Sequence, residues 1–525
     1  MINKIFFILI SLIINNRIFL SIKILRLKNS EYKYDFLNCF FENSEDLNRV
    51  FFSKKYLNTK SFNNESINYH SFSWLVSAKK LGGIQTVTNC KKHIFDWQNK
   101  KYNIFSFIWN EELISKRLIN LIYNFDFYAI SANSSEKKII HKIISKHYYL
   151  LDLKISLKKN KDEISLETLK AILLFKLIHN LKISKIIKNI LNNITTQINT
   201  EGFHKSINPS IQAEYINDLY EVKNILLFFN QNIPSQLENC ITLMSSVLKN
   251  LFHKDNTIAL FNGSNNSNIK NIIRINNSQK NLKTKNLSAV RSGLAVYSNK
   301  NLKIFFDITK PSSKILNKNL HAGTLSFELS YDSEKLITNC GSVEKRIGEK
   351  PEYLRYSAAH STIILDNTNI SELIKNKSYK RIPKKIFFDS LDNDKNIIWE
   401  CSHDGYKKNY NSIIKRKLII SKKTPKIEGV DQIIPIIIKG KNTIYHIRFH
   451  LTPNCQCLLT NSKKSVIIKT KLKQSWIFNS ESDLSLEESI NITDGKRINK
   501  SLQIVIVGFV SNQKKIERWS LTKVK

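Results

Sequence analysis

His321-Ala-Gly-Thr-Leu-Ser-Phe-Glu-Leu-Ser330, Ile337-Thr-Asn-Cys-Gly341 and Ala358-Ala-His-Ser-Thr-Ile-Ile-Leu-Asp366 decide how this chain reads. Each puts a histidine or another polar ligand type at the end of a short, strand-like apolar run. Histidine is the usual acid or base near neutral pH and a common metal ligand. Two of them beside β-rich segments point to one built site.

Working outward from these segments, the chain keeps the same texture. Val290–Tyr297, Lys303–Asp307, Thr324–Leu329, Ser361–Leu365, Lys417–Ser421, Thr443–His450, Ser465–Thr470 and Leu502–Gly508 are short, β-branched and separated by turns. Strands without intervening helices predict an antiparallel sandwich. Before Ser288 the period changes to three and four. Ile104–Tyr128, Lys137–Leu151, Leu166–Leu181, Ile183–Ile198, Ala213–Phe229 and Ser235–Phe252 read as helices joined by brief connectors. Such helices pack as antiparallel hairpins in a stack or ring. Residues 262–287, rich in Asn, Ser and Lys, read as a linker. The fold class is therefore all-α followed by all-β. The domains expected are an N-terminal segment over 1–67, a helical domain over 68–275 and a β-sandwich over 276–525.

At 525 residues the chain is too long for one core. Its formal charge of +39 has two readings. Lys is scattered in ones and twos, as compositional drift toward Lys, Ile and Asn would leave it. Alternatively the surface attracts polyanions. Zinc-finger spacing, an RNP-like motif and a basic heptad region are all missing, which argues against nucleic acid. The seven cysteines, at 39, 90, 240, 340, 401, 455 and 457, form no C-x-x-C cluster and no disulfide framework. Cys455 and Cys457 read as buried thiols. Lys4 followed by Ile5–Ile14 resembles the start of a signal sequence, but Asn15, Asn16 and Arg17 interrupt it. A buried or amphipathic helix is the other reading. No segment reads as a transmembrane helix.

The motifs fall in an order that resembles the heparinase II/III-like proteins, which include polysaccharide lyases. His70-Ser-Phe-Ser-Trp-Leu75, Trp109–Leu118 with Glu111 and Arg117, and Glu201-Gly-Phe-His-Lys-Ser-Ile-Asn-Pro209 look like landmarks of that family's α/α toroid. Ile258-Ala-Leu-Phe-Asn-Gly-Ser264 resembles its closing turn. Ser402-His-Asp-Gly-Tyr406, Arg448-Phe-His-Leu451 and Leu486-Glu-Glu-Ser489 resemble segments of its sandwich. The resemblance implies an incomplete toroid followed by a β-sandwich, an acidic polysaccharide as partner, and the cell envelope or periplasm as location, with the cytoplasm as the alternative.

The implied chemistry is β-elimination of a uronate chain. A donor neutralises the sugar carboxylate, a base takes the C5 proton, and the departing O4 is protonated. Two departures from the family pattern stand out. Ile211 occupies the place of the family's Tyr, and Asn319 that of its catalytic His. His204 is then expected as neutraliser or base, and Tyr406 as a substitute base, with Tyr356 also available. Arg117, Glu111, Asn208 and Asn319 are expected to bind substrate, since an Arg fork suits a sugar carboxylate. His321, Asn339 and His360 correspond to the family's metal ligands and would hold Zn2+. His403, His446 and His450 read as structural. The other reading is a carbohydrate-binding relative that has lost elimination, which Ile211 and Asn319 favour.

Overall fold

The computed structural model describes residues 64–524 apart from 101, 104–105, 159, 162–163, 279–291, 310–319, 344–351, 374–378 and 437–441. Asn319 and the Lys4–Ile14 stretch lie outside the described residues. The described chain packs as two compact units. One holds residues 64–196 and 215–241; the other holds 197–214 and, from 242, the remainder.

The first unit is helical because its apolar residues recur at helical spacing and several of its helices begin on capping side chains. Asn110 Oδ1 accepts from the Leu113 amide to start the helix Glu111–Tyr123. Asn133 and Glu136 form a capping box at the head of Ser134–Ser156. Ser165 opens Leu166–Ile178, whose residues are nearly all buried and which packs on both preceding helices. Ser184–Gln197 follows, and Pro209–Phe228 and Ser235–Asn250 each run from the residues of one unit into those of the other. The expected helices therefore form close to the expected bounds. The expected linker does not: Ile269–Ser278 is a helix that buries Ile272 and Ile275. Its Asn residues mask two apolar positions three apart, enough for one short helix. Among the described residues no helix is long and apolar enough to cross a membrane.

The second unit is built on two eight-stranded antiparallel sheets and a two-stranded ribbon of β6 (Glu372–Leu373) and β7 (Tyr379–Arg381). The first runs β1 (Leu294–Ser298), β2 (Leu302–Asp307), β3 (Phe327–Tyr331), β4 (Glu334–Thr338), β12 (Thr443–Leu451), β17 (Asn499–Val510), β16 (Leu484–Asn491), with β5 (Ile363–Leu365) also paired to β12. The second runs β13 (Gln456–Leu459), β14 (Ser465–Lys469), β15 (Ser475–Ser480), β18 (Lys515–Lys523), β11 (Lys426–Pro435), β10 (Ser412–Ser421), β9 (Asn396–His403), β8 (Ile386–Asp392). Burial alternates residue by residue along β10 and β11, as one covered face requires. One apolar core, with Phe306, Phe327, Trp399, Phe449, Phe478 and Trp519, draws on both sheets.

A charged pair sits inside that core. Arg416 on β10 lies directly opposite Asp431 on β11, and the two bond twice, at 2.6 and 2.8 Å. Trp519 Nε1 donates to the same carboxylate at 2.9 Å. The remaining Arg416 nitrogen, Nη1, donates to the carbonyls of Leu325 and Ser361 at 2.9 and 2.7 Å. One guanidinium thus ties the second sheet to the two loops that carry the histidine segments.

Candidate functional site

The segment Glu201–Gln212 is shaped by side chains that satisfy its turns. Asn199 Oδ1 accepts from the amides of Glu201 and Phe203, and Gln212 Oε1 accepts from the His204 amide at 2.7 Å. The His204 ring folds back on its own loop, with Nδ1 receiving the Ser206 amide at 3.2 Å and lying 2.7 Å from Ser206 Oγ. A backbone N–H can only donate, so Nδ1 is the acceptor and the neutral ring carries its proton on Nε2. Burial, with the Lys205 charge, pushes His204 down to about 4.

Asn208 turns the chain into the helix Pro209–Phe228. Its Oδ1 caps the Ile211 amide, and its Nδ2 donates to the Asn262 carbonyl at 2.8 Å. Asn262, in the left-handed region at φ 51°, reaches back with Nδ2 to the Ile207 carbonyl and accepts the His321 amide on Oδ1, at 3.3 Å each. Asn262 is therefore the link between the His204 segment and the histidines of the sandwich. Sequence reading placed it in the closing turn but did not single it out. A polar residue before Gly263 in an otherwise apolar run was the available signal.

His321 Nδ1 lies 3.2 Å from His360 Nε2, with the rings edge-on at 89°. The protons on this pair can be assigned. His360 Nδ1 sits 2.8 Å from the Tyr356 carbonyl, which can only accept, so Nδ1 carries the proton. His360 Nε2 then accepts, His321 Nδ1 donates to it, and the lone pair of neutral His321 rests on Nε2. Burial pushes His360 down to about 4 against the raising effect of its bond to Tyr356 and of the Glu328 charge. Gly323 makes the arrangement fit: a Cβ there would stand 2.6 Å from His360 Cδ2.

Beneath the pair lies a buried carboxylate that sequence reading missed. Glu328 on β3 accepts from His253 Nε2 at 2.8 Å and from the amides of Leu260 and Asn339 at 3.0 and 2.9 Å. Burial alone would raise it. The Lys335 charge, then the His253 bond, outweigh burial and bring it to about 2. Glu328 thereby fixes both the turn that presents Asn262 and the strand end that presents Asn339.

The other expected site residues sit elsewhere or serve other partners. Arg117, in the first unit, is fully buried. Its Nε donates to His147 Nε2 at 2.7 Å, its terminal nitrogens donate to the carbonyls of His70 and Ile108, and it lies over the ring of Trp97 at 4.4 Å. It holds helices together and presents no fork to a ligand. Glu111 pairs with Lys158 at 2.5 Å. Tyr406 is fully buried in the sandwich core, its hydroxyl donating to the Thr368 carbonyl at 2.7 Å, and burial raises it further from any basic role. Aromatic and Arg side chains read as site residues in sequence because burial cannot be seen there.

The zinc set can be tested against its donors. Asn339 spends its amide on the protein, with Nδ2 on the Leu260 carbonyl and Oδ1 on the Ser361 amide. His360 Nε2 is turned to His321 Nδ1 while the His321 lone pair rests on Nε2, so in this arrangement the two imidazoles do not aim their lone pairs at one point. Among the described residues no group of three or more His, Cys, Asp or Glu gathers at metal-binding distance. Two imidazoles and a committed amide do not fit a zinc site, which takes a carboxylate or thiolate more readily.

Comparison with known proteins agrees with this architecture. Residues 283–520 match the family model of the heparinase II/III-like C-terminal domain. Heparinase III superimposes with a TM-score of 0.70 at 13% identity, over 95% of this chain and 87% of that one. Heparan sulfate lyase HepC from Pedobacter heparinus does so with 0.60 at 14% identity, over 90% and 78%. FtsZ-localized protein C of Caulobacter vibrioides is 21% identical over 478 residues, 87% of this chain and 82% of that protein. At these identities the likeness to the solved structures is one of fold: a helical toroid followed by a β-sandwich. Residues 283–520 thus match a heparinase II/III-like C-terminal domain, and the chain shares the fold of heparinase III.

Proposed function

We propose that this protein is a polysaccharide lyase-like protein that cleaves an acidic, uronate-containing polysaccharide by β-elimination, with an altered residue set. The observation that carries the reading is the relay from the Tyr356 carbonyl through His360 to His321. It fixes His321 in the tautomer whose Nε2 can take a proton. His204 is fixed in the opposite sense, with Nε2–H as a donor. Elimination requires such a pair. His204 neutralises the uronate carboxylate, which acidifies the C5 proton. His321 Nε2 takes that proton, and the C4–O4 bond breaks as the double bond forms. The new imidazolium is oriented by His360 and returns its proton to the departing O4. Asn262 holds the two segments in register.

The excess of positive charge supports a polyanionic substrate. The likeness to a protein named for localising with FtsZ supports a place at the cell envelope. A second reading, a binding relative without elimination, rests on Ile211, a side chain that cannot transfer a proton at the position of the family's Tyr.

Ultraviolet absorbance of unsaturated uronate products, measured on a panel of uronate polysaccharides, tests the proposal. The parent is expected to raise absorbance on at least one polymer, and H204A and H321A to lower the rate at least a hundredfold. No rise on any polymer, with salt-sensitive binding retained, establishes the second reading instead.

A further inference from the structure

Arg448-Phe-His-Leu451 and Leu486-Glu-Glu-Ser489 take no part in the site above, yet the fold brings their ends together. β12 and β16 flank β17 in the first sheet, with His450 opposite Gln503 and Ser489 opposite Ser501. Gln503 and Ser501 are two apart on one strand, so His450 and Ser489 project from the same face. His450 Nε2 lies 3.0 Å from the Ala358 carbonyl, an acceptor, so the proton is on Nε2 and the lone pair on Nδ1. Ser489 Oγ lies 2.7 Å from Nδ1 and donates to it. Cys340 Sγ also approaches that nitrogen, at 3.6 Å, and stands 4.0 Å from Ser489 Oγ. Cys340 is buried, at 3% exposure, which bars it as the nucleophile here.

This is the geometry of an activated hydroxyl: nucleophile on one ring nitrogen, an orienting acceptor on the other. Ser489 is half-buried and lines a cavity of about 220 Å³ together with Thr452, Asn454, Glu488, Lys500 and Ser501. His450, in contrast, is buried behind it. The hollow is half open and small against the ~300–1,000 Å³ of drug-sized ligand pockets, so it encloses no more than a short acyl chain and leaves the rest of a substrate outside.

We infer that Ser489 and His450 form a nucleophilic dyad that transfers a short acyl group from a carboxylic ester to water. The Ser489 hydroxyl proton passes to His450 Nδ1 as Oγ bonds to the acyl carbon. The C–O bond to the alcohol then breaks, and the proton on Nδ1 leaves with that oxygen. Water repeats the sequence on the acyl-serine, releasing the carboxylic acid and restoring the hydroxyl. The Ala358 carbonyl is a positioning group that holds the ring in the accepting tautomer. Lys500 and Asn454 line the same cavity.

The full chain treated with a fluorophosphonate tests this directly, the adduct being mapped by peptide mass spectrometry and turnover followed with p-nitrophenyl acetate. The expected result is an adduct on Ser489. S489A is expected to lose the adduct and at least tenfold in turnover, while C340A keeps both. Absence of an adduct on Ser489 in the folded parent overturns the inference without recourse to any variant. So does equal turnover by parent and S489A. Neither result bears on uronate elimination, whose product is distinct.

Discussion

One absent methyl group governs the histidine pair. At Gly323 a Cβ would meet His360 Cδ2 at 2.6 Å, inside contact distance, and the ring is wedged by its bonds to Tyr356 and His321. G323A therefore displaces His360 and frees His321 to change tautomer. The expected cost in stability is about 1–3 kcal/mol, the range for overpacking, and elimination should fall as far as in H321A. Denaturant unfolding and the product assay, run together, check both; an unchanged rate would separate the pair from the chemistry. His321 and His360 were legible in sequence because histidines at strand ends are conspicuous. Asn262 and Glu328 were not. One is an amide in a turn, the other a carboxylate on a strand, and each acquires its meaning from partners distant in sequence.

At the level of elements, β10 shows why alternation is readable and its exceptions are not. Lys415, Arg416 and Lys417 look like three solvated charges, yet burial alternates through them and the middle one faces the core. Its partner is Asp431, opposite on β11. Removing the cation strands a buried carboxylate, so R416M is expected to destabilise the sandwich by about 3–5 kcal/mol, and R416M/D431L to recover most of that. Thermal unfolding of the two variants decides it: equal losses would mean that the pair itself, and not the stranded charge, is what matters. Gly429 on β11 is a further exception. The Trp519 ring of β18 covers it so closely that a Cβ would stand 2.0 Å from the indole. The β-branched runs fell on β1, β2, β3, β5, β10, β12, β14 and β17, with Lys417–Ser421 only half of β10; β11 and β18 were not read as strands, nor was the bare backbone under an aromatic ring.

For the whole molecule, buried neutral histidines set the response to acid. His204, His253 and His360 are each pushed down to about 4, chiefly by burial. Below their unfolded value of 6.5 the unfolded chain takes up protons that the folded chain refuses until about 4. Stability is therefore complete above pH 6.5 and falls as pH drops through that window, by about 1.4 kcal/mol per pH unit for each histidine. Glu328, folded at about 2, adds stability that is present above its unfolded value of 4.5 and lost below it. The melting temperature is expected to decline steeply from pH 6.5 to 4, and H253Q should flatten the slope. The order of helical and β-rich halves was open to sequence reading because periodicity changes at one place. The helix Ile269–Ser278, set in a polar stretch, was not.

Residues 197–214 pack with the second unit although the chain on either side packs with the first. On a ribosome this loop leaves the exit tunnel long before its partners do. Asn208 waits 54 residues for Asn262, and the histidine pair is later still. Contacts so far apart in sequence form late in folding. The helices can gather during synthesis, but the loop bearing His204 must remain open until the sandwich has been made. Premature termination anywhere before residue 360 would thus yield a helical body that never acquires the pair.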